Sequence, residues 1–456
     1  MHLGLHNSGT SLSQHHVHAT VQHVVHGNPQ RRSRSSIFRK VLANSTPENI
    51  ARPPTWSETI RGALFWAKPS NWDSRPHSWY LTLVFVVMKI VGTIGGYRGR
   101  AFFARGRGLE KLDEMRGEAA ASVDATEEKY LNSMPSLAAK VKGEGAEVKP
   151  CIAVVLPTFV RTRADVAEFR ATLYALQAQT QQPDVVLVVD DASPADISKE
   201  IEKVQLELQA AGSKMLLGHV RMAANTGPSG ARTVGLRLLR KWAGLRRVIA
   251  CFTDSDAVPT DTWCEEMQKA QDAFPGIICG PTLSLTKSYT GQFHDHFGNL
   301  NGRWKWQDPP AVLIYGCTCN YSVDVPCIGE LEFDPVFRRP GFEDIELCWR
   351  ARKERGVLTR HCEGARVYHD YDRGLRGLYR QFWKYGNTEP IMAYMHPDFS
   401  FQDSRPVVAG FQDPRLQVLK DTIPQGSEKA AEAVLRKMYR LFQLPPSESG
   451  VNAQDG

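Results

Sequence analysis

The chain has 456 residues, 42% hydrophobic and 23% charged, enough for one large globular domain with extensions or for two ordinary ones. Its net charge of +7 is concentrated at one end: residues 1–57 carry Arg31, Arg32, Arg34, Arg39, Lys40 and Arg52 against the single acid Glu48, which leaves +2 for everything after them. A nearly neutral remainder lacks the basic stripe of a nucleic-acid-binding fold, and nine cysteines without a C-x-x-C pair argue against a zinc ribbon or a thioredoxin-like centre.

In chain order, residues 1–77 read as a disordered tail rich in His, Ser, Arg and Asn, unable to bury enough apolar surface to offset its ordering entropy. Half of the histidines lie there, His15, His16 and His18 among them, with no fold to hold them as ligands. Residues 78–97 are expected to be a membrane anchor. The run Trp79–Gly95 has nine Leu, Val, Ile or Phe residues, contributing about −4 kcal/mol of insertion against ~2–3 kcal/mol for Lys89. A buried or surface-lying helix is the alternative. The cluster Arg98, Arg100, Arg105 and Arg107 points to a cytosolic catalytic domain on a single-pass protein of an endomembrane or the plasma membrane. Residues 98–148 read as a helical stalk or linker, with Leu109, Leu112 and Met115 at helical spacing.

From Cys151 the texture changes. Ile152–Leu156, Val185–Val189, Met215–Val220 and Val248–Thr253 are apolar runs of strand length. Between them Val166, Phe169, Leu173 and Leu176, then Ile197, Ile201, Val204 and Leu208, then Ala231–Leu239, fall at helical spacing. The alternation predicts an α/β domain over 149–400 with a mixed, mostly parallel central sheet flanked by helices, and ligands at the carboxyl ends of the strands. Residues 401–456 form an extension with an amphipathic helix at Ala431–Phe442.

The acids fall where that rule points. The second strand ends in Asp190-Asp191-Ala192-Ser193 and the fourth in Asp254-Ser255-Asp256. Residues two apart on extended backbone point the same way, so Asp254 and Asp256 can converge on a divalent cation, Mn²⁺ or Mg²⁺, that bridges a diphosphate leaving group. A turn with helix-capping acids fits the Asp-Ser-Asp triplet alone. Asn225-Thr226-Gly227-Pro228-Ser229-Gly230-Ala231-Arg232 is a glycine-containing loop entering a helix, able to approach a nucleotide closely. Glu343 and Asp344 precede Ile345 and Trp349 at helical spacing; they suit either the positive end of a helix dipole or a general base for a sugar hydroxyl. His369 is a candidate third metal ligand. No role is read for His294, Asp295 or His296.

The whole order closely resembles the family 2 glycosyltransferases of the GT-A fold, over about Cys151–Phe399. The resemblance implies that Asp190 or Asp191, with Pro157, Thr158, Asn225, Gly227 and Arg232, forms the nucleotide pocket. It implies that Asp254 and Asp256 hold metal and diphosphate with His369, and that Asp344 is the catalytic base with Glu343 beside it. Cys317-Thr318-Cys319-Asn320 falls at the family's sugar-donor and acceptor segment. It further implies an inverting transfer from a nucleotide-diphosphate sugar, a UDP-sugar first, to an unidentified glycan, lipid or protein acceptor, with no nucleic acid involved. Arg380-Gln381-Phe382-Trp383 departs from the Gln-x-x-Arg-Trp signature of processive members, so a non-processive type is expected. A catalytically degenerate nucleotide-sugar-binding or scaffolding protein and a nucleotidyltransferase are the alternatives. The helical stretch Leu375–Tyr385 suits a membrane face or plain packing on the core.

Overall fold

A computed structural model of the chain describes residues 108–399 apart from 144–148, 287, 289, 292–293, 296–311, 314, 370–373 and 397–398, together with nine residues between 84 and 96. All of them lie in the compact unit Val41–Ser404; the expectations for residues 1–77 and 401–456 fall outside the described residues.

The apolar runs are strands of one eight-stranded sheet. β1 (Cys151–Thr158), β2 (Val185–Asp190), β3 (Leu216–Arg221) and β4 (Val248–Thr253) pair in parallel in the order β3-β2-β1-β4. β1, β2 and β4 are almost completely buried because helices cover both faces, which is why they read as continuous rather than alternating apolar runs. On one face α1 (Gly108–Leu131), α2 (Pro135–Lys142) and α5 (Gly227–Ala243) pack; on the other lie α3 (Arg163–Gln177), α4 (Ser198–Ala210) and α6 (Trp263–Ala273). The expected helical face of α3 is buried at Phe169, Leu173 and Leu176, and the helix starts at a capping box in which Thr162 and Asp165 satisfy each other's backbone N–H.

Beyond β4 the sheet continues through β9 (Asn320–Asp324), β6 (Ile277–Cys279), β10 (Thr359–His361) and β8 (Val312–Leu313), with antiparallel pairing at β4–β9, β9–β6 and β10–β8. A second, three-stranded sheet orders β5 (Ala257–Pro259), β11 (Val367–His369) and β7 (Thr282–Ser284) with β11 in the middle. A short α7 (Val325–Ile328), α8 (Glu343–Arg355) and α9 (Gly374–Met395) complete the described elements. The fold is the expected α/β architecture with a mixed, mostly parallel sheet.

Two N-terminal expectations meet a different arrangement. The segment expected as stalk is packed: α1 lies on α5 with Ala119 and Val123 buried, its Leu112 packs with Val336 and Phe337, and its Thr126 and Ser122 hydroxyls accept the backbone N–H groups of Ala223 and Ala224. Polar residues on a helix thus conceal a buried stripe, because the other face is solvated. The N-terminal membrane-associated helix over 78–97 finds no support: among the described residues no helix is long and apolar enough to cross a membrane. The described residues of that run are helical, and Met88 and Val91 instead pack against Leu378 and Phe382 of α9. An apolar run with a neighbouring apolar helix can bury itself against protein as well as in lipid, and the hydropathy sum alone does not separate the two.

Candidate active site

Three strand ends and one helix start meet at the carboxyl edge of the parallel strands. β4 ends at Thr253, so Asp254 and Asp256 sit in the turn that enters β5. β11 pairs antiparallel with β5, His369 opposite Ala257, which brings the imidazole of a residue more than a hundred positions later beside that turn. His369 Nε2 lies 3.2 Å from Asp256 Oδ1 and 3.7 Å from Asp254 Oδ2. One ligand atom from each of the three residues lies within 4.8 Å of the other two. Two carboxylates and an imidazole partly open to solvent form a donor set suited to a divalent cation such as Mn²⁺ or Mg²⁺. Burial disfavours a charged imidazole, yet the two carboxylates raise the His369 pKa well above its ordinary value. Burial likewise works against an ionised Asp254, but His369 and Arg232 hold its carboxyl below the usual carboxylate range. The Asp254 carboxylate is thereby held ionised at neutral pH.

Arg232, on α5, is 3% exposed and joins this group to the next. Its Nη2 donates to Asp254 Oδ1 at 2.9 Å and its Nη1 to Glu343 Oε1 at 3.0 Å. Glu343 opens α8 and is buried; its other oxygen accepts the Gly341 N–H at 2.6 Å. Asp344, next to it, is partly exposed. Its Oδ1 accepts the Ile345 N–H at 2.9 Å, and Oδ2 accepts the Thr318 N–H at 3.4 Å. Burial, followed by the neighbouring Glu343 charge, pushes the Asp344 carboxyl up to about 7. Of the two acids, Asp344 has the proton affinity and the access of a general base, while Glu343 is sealed in an ion pair. Phe342 just before them has φ 72, and Ala192, just after Asp190 and Asp191, has φ 54. These are the two non-glycine residues at positive φ among those described, each costing about 1–3 kcal/mol, and both adjoin site acids.

The residues expected in a nucleotide pocket divide differently. Asp190 is fully buried, paired with Arg221 and accepting the Ser193 N–H at 2.8 Å. Burial raises its pKa less than His219, Ser193 and Arg221 together lower it. Asp191 gives its carboxylate to the loop at the start of α5: Oδ1 accepts the Thr226 N–H at 2.7 Å, and Oδ2 accepts the Gly227 N–H and the Asn225 amide at 2.9 and 2.8 Å. Gly227 has φ +79, and a Cβ there would sit 2.1 Å from the Arg338 carbonyl oxygen, so the loop tolerates only glycine. Thr158 is buried at the end of β1 opposite Asp190, with Pro157 half-buried before it. Arg232 gives its terminal nitrogens to Asp254 and Glu343. Asn320 is fully buried: its amide donates to the carbonyls of Pro281 and Ala365 and its oxygen accepts from Trp263 Nε1. It ties β9 to the loops after β6 and β10, at a point where Gly280 leaves no room for a Cβ beside Ala365.

All nine cysteines are free and seven are buried, as small hydrophobes are. The structure also supplies roles the sequence did not suggest. Asp295 Oδ1 accepts the Ser284 N–H at 2.7 Å, holding the end of β7 that lies opposite His369. His294 is buried, and burial followed by the nearby His369 pushes its pKa down to about 4. Tyr385 of α9, bonded at its hydroxyl by Gln381, packs against Gly341 beside Glu343 and Asp344. Arg221 and His219 stand two apart at the end of β3 beside Asp190, an alternation that a sheet register, once known, would have flagged.

Residues 153–320 match the family model described as Glycosyl transferase family 2. Among solved structures, the chain is similar to GalNAc-T7 with UDP, GalNAc and Mn²⁺ at 13% identity and TM-score 0.40, covering 66% of this chain and 55% of that one. It is also similar to S. aureus TarS 1–349 in complex with UDP, at 14% identity and TM-score 0.37, covering 64% and 90%. A third is the mannosyltransferase PcManGT from Pyrobaculum calidifontis in complex with GDP-Man and Mn²⁺, at 14% identity and TM-score 0.35, covering 73% and 94%. The chain spans about half the length of the GalNAc-T7 structure. No curated protein matches its sequence. Over residues 153–320, which take in the strands that carry the acids at Asp190, Asp191, Asp254 and Asp256, the chain is similar to the family 2 glycosyltransferases.

Proposed function

We propose that the chain transfers a sugar, with inversion, from a nucleotide-diphosphate sugar to an acceptor hydroxyl, and that the transfer depends on a divalent metal. The observation that carries this reading is the convergence of Asp254, Asp256 and His369, joined through Arg232 and Glu343 to Asp344 at the carboxyl edge of the parallel strands. Asp254, Asp256 and His369 would hold the cation, whose charge offsets that of the departing diphosphate. Asp344 accepts the proton of the acceptor hydroxyl as its oxygen attacks the anomeric carbon. The bond from that carbon to the diphosphate oxygen breaks, and the nucleoside diphosphate leaves with the electron pair. A base on the side opposite the leaving group gives inversion. Asp191 fixes the Asn225–Gly227 loop for the nucleotide, with Pro157 and Thr158 at the adjoining strand end. UDP is the first nucleotide to test, and the acceptor is a hydroxyl of a glycan, a lipid or a protein.

The test is a donor screen. Purified protein with Mn²⁺ or Mg²⁺ is incubated with UDP-, GDP- and TDP-sugars, and nucleoside diphosphate release is measured with and without chelator. Metal-dependent release from one donor class is expected. Release of pyrophosphate would point to nucleotidyl transfer instead, and tight binding with no product would point to a nucleotide-sugar-binding protein.

A further inference from the structure

Glu343 and Arg232 together do something neither acid of the cation group does. The Arg232 guanidinium is buried, its Nε–H has no hydrogen-bond partner among the described residues, and its centre lies 5.9 Å from the Phe333 ring centroid. Its charge is therefore balanced by two carboxylates, one on each terminal nitrogen: Asp254 at 2.9 Å and Glu343 at 3.0 Å. Asp254 is shared between that guanidinium and the cation group, whereas Glu343 is outside it. A cation arriving at Asp254 meets a full positive charge already on Oδ1 unless Glu343 offsets it. Screening by water is weak there because both members of the Arg232–Glu343 pair are nearly inaccessible.

We infer that Arg232 and Glu343 form a charge strut that sets the divalent-cation affinity of the Asp254–Asp256–His369 group from outside its coordination shell, and so ties the donor side of the cleft to the start of α8, where Asp344 sits. This rests on the donor-site reading above. Both are positioning residues: neither offers an atom to the cation.

The sign of each substitution follows. Glu343→Gln keeps the shape and removes the offsetting charge, so the cation should bind about tenfold more weakly. Arg232→Met removes the competing charge, so binding should tighten by about the same factor. Arg232→Met/Glu343→Gln leaves the net charge as it was, and affinity should return to within about threefold of the unsubstituted protein. A merely structural role predicts loss in all three, with the double variant worst.

The measurement is Mn²⁺ binding, with and without saturating UDP, followed by loss of the free-ion paramagnetic resonance signal. Thermal melts accompany each variant, and the double variant carries the test if Arg232→Met does not fold. Unchanged affinity in Glu343→Gln, or a double variant as weak as Glu343→Gln, would overturn the strut alone. Absence of Mn²⁺ binding in the unsubstituted protein would overturn both the strut and the metal-dependent reading beneath it.

Discussion

Replacing Asp344 by Asn separates base catalysis from binding. The substitution keeps the side-chain shape, and the amide oxygen can still accept the Ile345 N–H now bonded at 2.9 Å. The amide nitrogen would then face the Thr318 N–H, but that contact is already long at 3.4 Å, so its loss costs little. The Arg232 bridge between Asp254 and Glu343 is untouched, and donor affinity should stay within about threefold. What disappears is the proton acceptor. General-base catalysis contributes roughly 10²–10⁴-fold, equivalent to about 3–5 kcal/mol of transition-state stabilisation. Single-turnover transfer from a bound donor, with nucleotide affinity measured in parallel, reads the two quantities separately. If Asp344→Asn weakens donor binding as much as it slows transfer, the residue is a ligand or a helix cap and the base assignment fails. Glu343→Gln should slow transfer less, and its defect should shrink at saturating Mn²⁺; the reverse order would make Glu343 the base.

Other outcomes follow from the same geometry. The Asp344 carboxyl is pushed up to about 7, so its basic form is lost as pH falls through that value; transfer should rise between pH 6 and 8 (an interval of roughly one unit either side) and lose this limb in Asp344→Asn. The same shift means the folded state binds a proton that the unfolded chain releases near 3.8, so stability contributed by protonated Asp344 declines as pH rises from there to about 7. Asp256→Ala removes the carboxylate 3.2 Å from His369 and should abolish metal-dependent donor binding; full activity in this variant, or in chelator, would refute the metal role. Asn320→Ala orphans Trp263 Nε1 and two carbonyls in a fully buried position, and should destabilise the fold by about 3–5 kcal/mol in denaturant titration, whereas a loss of donor affinity at unchanged stability would make it a ligand contact.

The sequence by itself determined the strands β1, β2 and β4, because a strand buried on both faces must be apolar throughout. It also determined which acids end them, since backbone alternation alone aims Asp254 and Asp256 together. It could not distinguish acids that face the cleft from acids that hold it together. Asp190 and Asp191 read alike, yet one is paired with Arg221 and the other accepts three N–H groups of the Asn225–Gly227 loop, because only strand register decides which neighbour arrives. Asn320 looked like a ligand contact, but its three buried partners come from segments 39 to 57 residues away. Arg232 likewise carried no local sign that it bridges residues 22 and 111 positions distant. The helical spacing of Leu109, Leu112 and Met115 showed a helix but not its partner. The apolar run at Trp79–Gly95 showed a need for burial, and among its described residues Met88 and Val91 meet it against α9 while Val87 and Ile94 stay exposed. Hydropathy and periodicity are properties of a segment; charge pairing and the choice between lipid and protein as a cover are properties of what lies beside it, and those neighbours are chosen by the tertiary fold.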